Sequence, residues 1–219
     1  MKDSRRAKVT EAIRQACVSA IIRTDNEVLA GDAMQAAVDG GFQVVEFTLT
    51  TPGALSLVER FSAGDALTVG AGTVMSPGEA RDAVSAGAEF LVSPIFDAEV
   101  LVEAAKLDVP MIPGCYTPTE METAHRHGAD FIKVFPAPAG GVGFIRAVRG
   151  PLPHLPLFPT AGPTPENFIE YLEAGCAGVG FVRSLFDPND LARGDLAAVG
   201  ARANEITRRL ADWRSTPAE

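Results

Sequence analysis

Four short phrases constrain this chain more than any other feature. They are Asp39-Gly40-Gly41-Phe42, Ser85-Ala86-Gly87-Ala88-Glu89-Phe90, Arg126-His127-Gly128-Ala129-Asp130-Phe131 and Glu173-Ala174-Gly175-Cys176-Ala177-Gly178. Each reads as one event, a helix closing on a glycine and a strand beginning at once. Glycine suits the closing position because the chain there turns left-handed, which a side chain disfavours. The opposite event is marked by Pro52, Pro77, Pro118 and Pro165. Each stands near the start of a helical pattern, where proline's missing N–H costs nothing.

Between these marks, short apolar runs alternate with amphipathic segments. Strands are predicted over Val18 to Ile22, Gln43 to Leu49, Leu67 to Ala71, Phe90 to Val92, Val109 to Ile112, Phe131 to Phe135, Leu155 to Pro159 and Ala177 to Gly180. Helices are predicted over Glu27 to Asp39, Pro52 to Ser62, Pro77 to Ala86, Ala98 to Leu107, Pro118 to His127, Val142 to Arg149 and Pro165 to Ala174, with a last long one from about Leu191 to Leu210. A further helix, roughly Arg5 to Ala16, precedes the first strand. Such alternation, with no linker or low-complexity stretch, implies one α/β domain over residues 1–219. The architecture expected is a single (β/α)8 TIM barrel over about residues 17–212 with an extra N-terminal helix. An open doubly wound sheet would be expected to carry a glycine fingerprint after its first strand, and Ile21-Ile22-Arg23-Thr24-Asp25-Asn26-Glu27 has none.

The formal net charge is −9 and the basic residues are scattered. Nucleic acid is therefore not expected as a partner, since phosphate neutralisation needs clustered Lys and Arg. No run approaches the ~18 apolar residues of a membrane span, and Met1 to Val9 lack the apolar centre of a signal peptide. Cys17, Cys115 and Cys176 form no CxxC pair and no metal spacing, which points to reduced thiols in the cytoplasm and to no metal site.

In a parallel barrel the working face lies at the C-terminal ends of the strands. Polar residues gather there against the apolar pattern: Arg23, Glu46 and Thr48, Thr73, Ser93-Pro94, Tyr116 and Thr117, Lys133, Thr160 and Gly162, Gly180 and Arg183. Two of them are anomalous. With a period of two, Val45, Phe47 and Leu49 face the helices, so Glu46 and Thr48 point inward. The same alternation turns Phe131, Lys133 and Phe135 inward. Only four of the nineteen basic residues are lysines: Lys2, Lys8, Lys106 and Lys133. Arginine supplies most of the cationic surface, so a lysine inside the barrel invites explanation. A buried carboxylate and a buried amine are each costly unless paired or functional. One reading is a structural Glu46–Lys133 ion pair filling the barrel. The other is chemical: a desolvated amine attacks a ketone to form an imine, and a nearby carboxyl shuttles the protons.

Three weaker signals have plainer readings. The glycines of Gly70-Ala71-Gly72-Thr73 lack a Walker ending and are expected to let a ligand approach. His125 and His127, two apart on a helix, do not face one another as metal ligands would. His154 is expected in a surface loop.

With Glu46 and Lys133 placed, the chain resembles the 2-keto-3-deoxy-6-phosphogluconate / 4-hydroxy-2-oxoglutarate aldolase family, including its phosphogalactonate branch. The matching stretches are AIIR, GGFQVVEFTLTTPGAL, VGAGTV, AGAEFLVSP, IPGCYTPTE, GADFIKVFPA and TPENFIEYLEAGCAGVG, in order over about residues 17–186. The resemblance implies a class I aldolase that releases pyruvate, with Lys133 as the Schiff-base lysine and Glu46 as general acid/base. Thr73, Pro94, Phe135 and Thr160 line the pyruvyl pocket in this resemblance, and Arg23 faces an anionic substrate. It further implies a small-molecule 2-keto acid substrate, no cofactor, magnesium-independent catalysis and a homotrimer.

Some members carry an arginine four residues after the glutamate, where this chain has Thr50. The larger departure is at the phosphate end. Family members usually have TGG after strand seven and GxGS after strand eight. Here the positions are Thr160-Ala161-Gly162-Pro163 and Gly180-Phe181-Val182-Arg183. Pro163 offers no N–H to a phosphate, and Val182 replaces a glycine that allows close approach. Either Arg183 grips an anion with its guanidinium, or the substrate is shorter or unphosphorylated, as 4-hydroxy-2-oxoglutarate is. Two further functions remain open: a phosphate-sugar epimerase or isomerase, and a non-catalytic sugar-acid or phosphate-binding barrel.

Overall fold

The computed structural model describes residues 4–216; Lys2 and the outermost residues of the 1–219 domain lie outside them. Nine strands alternate with ten helices among these residues. Helix α1 (Arg5–Ala16) leads into β1 (Val18–Ile22), followed by α2 (Glu27–Asp39), β2 (Val44–Thr48), α3 (Ala54–Phe61), β3 (Thr68–Gly72), α4 (Pro77–Ser85), β4 (Phe90–Val92) and α5 (Ala98–Lys106). Then come β5 (Met111–Ile112), β6 (Gly114–Cys115), α6 (Pro118–Arg126), β7 (Ile132–Val134), α7 (Gly141–Arg149), β8 (Leu157–Pro159), α8 (Phe168–Glu173), β9 (Val179–Phe181), α9 (Pro188–Arg193) and α10 (Leu196–Ser215). All strand pairs are parallel. One sheet has the order β5-β4-β3-β2-β1-β9 and the other β6-β7-β8, with a bridge between Thr160 and Gly180 joining them. The result is a curled parallel sheet with its helices outside.

The strand predicted over Val109 to Ile112 is confined to Met111–Ile112, and a further, unpredicted strand, Gly114–Cys115, follows the break at Pro113. Its ring removes the N–H a continuing ladder needs, while its carbonyl accepts from Lys133 N at 2.9 Å. The chain thus pairs with β4 before the proline and with β7 after it. Gly114 follows because a Cβ there would overlap the Pro94 carbonyl. The predicted last helix is two. Gly194 closes α9 in the left-handed region (φ 67°), and Asp195 restarts the chain by accepting from Ala198 N.

Two hydrophobic cores result from strand alternation. Val45 and Phe47 of β2, Ile132 and Val134 of β7, and Val18, Ala20 and Ile22 of β1 join the core between sheet and helices. The opposite faces meet in an inner core of Val44, Phe90, Val92, Ile112, Phe131 and Phe158, which Val9 and Ile13 of α1 complete. Helix α1 is held there by an Arg6–Asp130 ion pair at 2.8 Å and by Arg5 donating to the Ala88 carbonyl at 3.1 Å. Asp130 and Ala88 precede β7 and β4, so α1 lies against the N-terminal ends of the strands. The opposite end is left for the polar residues.

Candidate active site

Strand β3 makes the interior asymmetric. Its inward positions are Gly70 and Gly72. A Cβ at Gly70 would strike the Phe90 ring, and one at Gly72 would overlap Glu46 Oε1. These glycines therefore make room for side chains of neighbouring strands, not for a ligand as the sequence alone suggested. Because β2 and β3 pair with Thr48 opposite Gly72, the Glu46 carboxylate leans over β3. Gly72→Ala is expected to displace it and lower turnover about 100-fold, as misplacements near 1 Å do, with native circular dichroism retained. Steady-state kinetics checks this.

Glu46 and Lys133 are 2% and 5% exposed. Burial pushes the Glu46 carboxyl up, against the pull of the Lys133 and Arg23 charges. Burial pushes the Lys133 amine down, Glu46 opposes this, and Arg23 adds to it. Both groups are thus driven toward their neutral forms. They do not form an ion pair: the salt bridges of the described residues lie elsewhere, and Glu46 Oε1 has no hydrogen-bond partner. A structural pair would be expected to show direct contact. Lys133 Nζ instead lies 4.9 Å from the centroid of the Phe135 ring.

Above this pair opens a cavity of about 540 Å3, with Arg23, Lys133, Phe135, Thr160 and Arg183 on its wall. Thr73 belongs to the site indirectly, since its hydroxyl accepts from the Arg23 guanidinium at 3.1 Å. Thr73 (φ 62°) and Ala161 (φ 67°) are non-glycine residues in the left-handed region, just beyond β3 and β8. Strain of this kind costs of order 1–3 kcal/mol and tends to collect at working sites.

Other candidates are elsewhere. Pro94 backs Gly114, Gly162 packs near Ala137 and Tyr171, and Gly180 leaves space for Ile21 and Thr160; none of the three is on the cavity wall. Thr117 caps α6 in a capping box with Glu120, and Tyr116 stacks on Phe144 with centroids 6.1 Å apart. Thr48 shares hydroxyl contacts of 3.2 Å with Thr50 and Thr51. His154 meets Glu122 at 2.9 Å on the outer surface.

At the distal end two loops and a guanidinium come together. Ser184 Oγ donates to the Pro163 carbonyl at 2.8 Å, tying the loops after β8 and β9 together. Arg183 lines the cavity and has no hydrogen-bond or ion-pair partner among the described residues. Asp25, Thr24, Phe186 and Leu191 also line it. Sequence reasoning passed over them because the loop after β1, the turn that follows β9 and the short helix α9 carry no periodic signal that places them on a strand end.

A curled parallel sheet with a desolvated amine and carboxyl inside it, on β7 and β2, describes an enzyme equipped for carbonyl chemistry. The model of the KDPG and KHG aldolase family matches residues 9–202, and the chain belongs to that family of lyases. It is 32% identical over 214 residues to the 2-dehydro-3-deoxy-phosphogluconate aldolase of Pseudomonas aeruginosa, covering 97% of each chain. It is 36% identical over 159 residues to the 2-dehydro-3-deoxy-6-phosphogalactonate aldolase of Escherichia coli, covering 69% of this chain and 76% of that one. Among solved structures, the KDPG aldolase of Legionella pneumophila, with pyruvate captured at low pH as a covalent carbinolamine, superposes with a TM-score of 0.81. The two are 29% identical, and the match covers 90% of this chain and 97% of that one.

Proposed function

We propose that this enzyme is a class I aldolase that cleaves a 4-hydroxy-2-keto acid to pyruvate and an aldehyde, with Lys133 as nucleophile and Glu46 as proton shuttle. The observation that carries the reading is a buried amine and a buried carboxyl that share one interior without pairing. The neutral Lys133 amine attacks the C2 ketone, and Glu46 delivers the proton with which the carbinolamine hydroxyl leaves as water. Glu46 then removes the proton of the C4 hydroxyl. The C3–C4 bond breaks, its electron pair passes into the protonated imine, and an enamine and an aldehyde result. Protonation at C3 and hydrolysis of the imine release pyruvate and regenerate the amine. The test is incubation with pyruvate and borohydride, which should add the reduced pyruvyl mass to the peptide containing Lys133. An unmodified Lys133 would refute the reading.

The anionic end of the substrate falls to Arg183, with Arg23 nearer the reacting carbons. Pro163 has turned its carbonyl toward Ser184, so the loop after β8 supports a phosphate less through backbone N–H groups than through a guanidinium. A 6-phosphorylated 2-keto-3-deoxy sugar acid is the preferred substrate, with unphosphorylated 4-hydroxy-2-oxoglutarate the alternative. Arg183→Ala is expected to raise KM for the phosphorylated acid about 10- to 100-fold, the value of a charge-assisted hydrogen bond, and to leave kcat nearly unchanged. Pyruvate release from both acids checks this.

The enzyme is further read as one domain, a closed (β/α)8 barrel with α1 as an additional helix at its N-terminal end. The bridge at Thr160 and Gly180 and the shared strand around Pro113 support closure. Met75 and Ile95 are exposed in the loops after β3 and β4, and Leu55 is exposed in the first turn of α3, which follows the adjacent β2. That apolar edge supports a homotrimer. No described helix is long and apolar enough to cross a membrane; a cytoplasmic location is the natural setting for this reaction.

A further inference from the structure

A second, much smaller space lies beneath the reaction chamber. It is a void of about 10 Å3, with Ser19, Glu46, Lys133 and Thr160 among apolar neighbours such as Phe90 and Phe158. Two side-chain oxygens in its lining are buried and have no hydrogen-bond partner: Ser19 Oγ and Glu46 Oε1. Ser19 is 3% exposed and shares the inward parity of Ile21, which pairs in register with Glu46. It is the one polar residue of β1. Thr160 donates its hydroxyl proton to the Phe158 carbonyl at 3.4 Å, which leaves its lone pairs free to accept. A void of one probe sphere with two to four polar partners is what a single buried water requires, and an apolar void of that size would leave both orphan oxygens unsatisfied.

We infer that Ser19 is a positioning residue for Glu46, acting through one internal water that bridges Ser19 Oγ and Glu46 Oε1 below Lys133. This rests on the reading of Glu46 as the proton shuttle. The water donates to Oε1, accepts from the Ser19 hydroxyl and can donate its second proton to Thr160. It fixes one carboxyl oxygen at the floor of the site and leaves the other to exchange protons with the substrate. The charged groups that face Glu46 are Lys133 from β7 and Arg23 from the end of β1; β3 presents glycines, and β4 and β5 present Phe90, Val92 and Ile112. Donation through the water favours the carboxylate, so its loss raises the pH at which Glu46 ionises.

The test compares Ser19→Ala, Ser19→Thr and Ser19→Val in the full-length enzyme. Thr and Val differ in a hydroxyl but hardly in shape. The readout is kcat/KM for pyruvate release against pH, with the Glu46 limb identified by its disappearance in Glu46→Gln. Ser19→Ala and Ser19→Val should move that limb upward by about one pH unit, the equivalent of one ordinary hydrogen bond, while Ser19→Thr stays with the parent. Equal behaviour of Thr and Val, or an unmoved limb in Ser19→Ala, overturns the inference while the functional reading stands. A limb that survives Glu46→Gln overturns both.

Discussion

Lys133→Met is expected to lower pyruvate-forming turnover by about 10^5-fold, of the order that a well-oriented covalent partner contributes, with the fold retained. Methionine matches the length of lysine's stem and suits a site that is 5% exposed. No other described lysine can substitute: Lys106 is paired with Glu103 on the surface, and Lys8 lies on α1 at the opposite end of the strands. The variant should also fail to gain mass with pyruvate and borohydride. In the parent enzyme, burial pushes the amine below the ordinary lysine range. Adduct formation should accordingly persist well below pH 10, where an exposed lysine would be almost wholly protonated. Full trapping by Lys133→Met would place the nucleophile elsewhere and end the assignment.

Much of this site could be read from alternation alone. The inward parity of Glu46 and Lys133 follows from two uninterrupted strands, and the structure places both inside. Gly70 and Gly72 were legible as unusual but not in meaning. Their role depends on which residue of β2 lies opposite Gly72, and register between neighbouring strands has no signature in one strand's own sequence. Ser19 was legible by the same parity rule, as a polar residue at an inward position of an apolar strand. Its significance appears only beside the unpartnered oxygen of Glu46. The phosphate-end departures were visible as Pro163, Val182 and Arg183, whereas the hydrogen bond from Ser184 to the Pro163 carbonyl joins two separate loops and leaves no mark in the sequence. Ala161 stands in the left-handed region where the resembling family has glycine, a conformation that a side chain disfavours.

Glu46→Gln should lower kcat by about 10^3-fold, within the range of positioned general acid/base groups, while Lys133 is still trapped slowly by pyruvate and borohydride. The same substitution carries a stability prediction of opposite sign. Burial raises the Glu46 carboxyl above its ordinary value of 4.5. The native state therefore holds this proton more tightly than the unfolded chain does. Stability from this group is complete below pH 4.5 and is lost as pH rises through the raised value. Glutamine cannot ionise, so Glu46→Gln removes the penalty that the carboxylate imposes at neutral pH. Lys133 complicates the single variant, because losing Glu46 deprives the amine of its one favourable charge. The Lys133→Met background removes that coupling. There, adding Glu46→Gln should stabilise the protein at pH 7 by about 1–4 kcal/mol, the range seen when buried charges give way to neutral groups. The gain should shrink as pH falls and vanish below about pH 4.5, where glutamate is protonated in both states. Urea unfolding of the two variants at a series of pH values measures it. A pH-independent difference would mean that Glu46 is not desolvated in the native enzyme. A gain at pH 7 beside a 10^3-fold loss of kcat would mean that the carboxyl is kept for its chemistry at the expense of the fold.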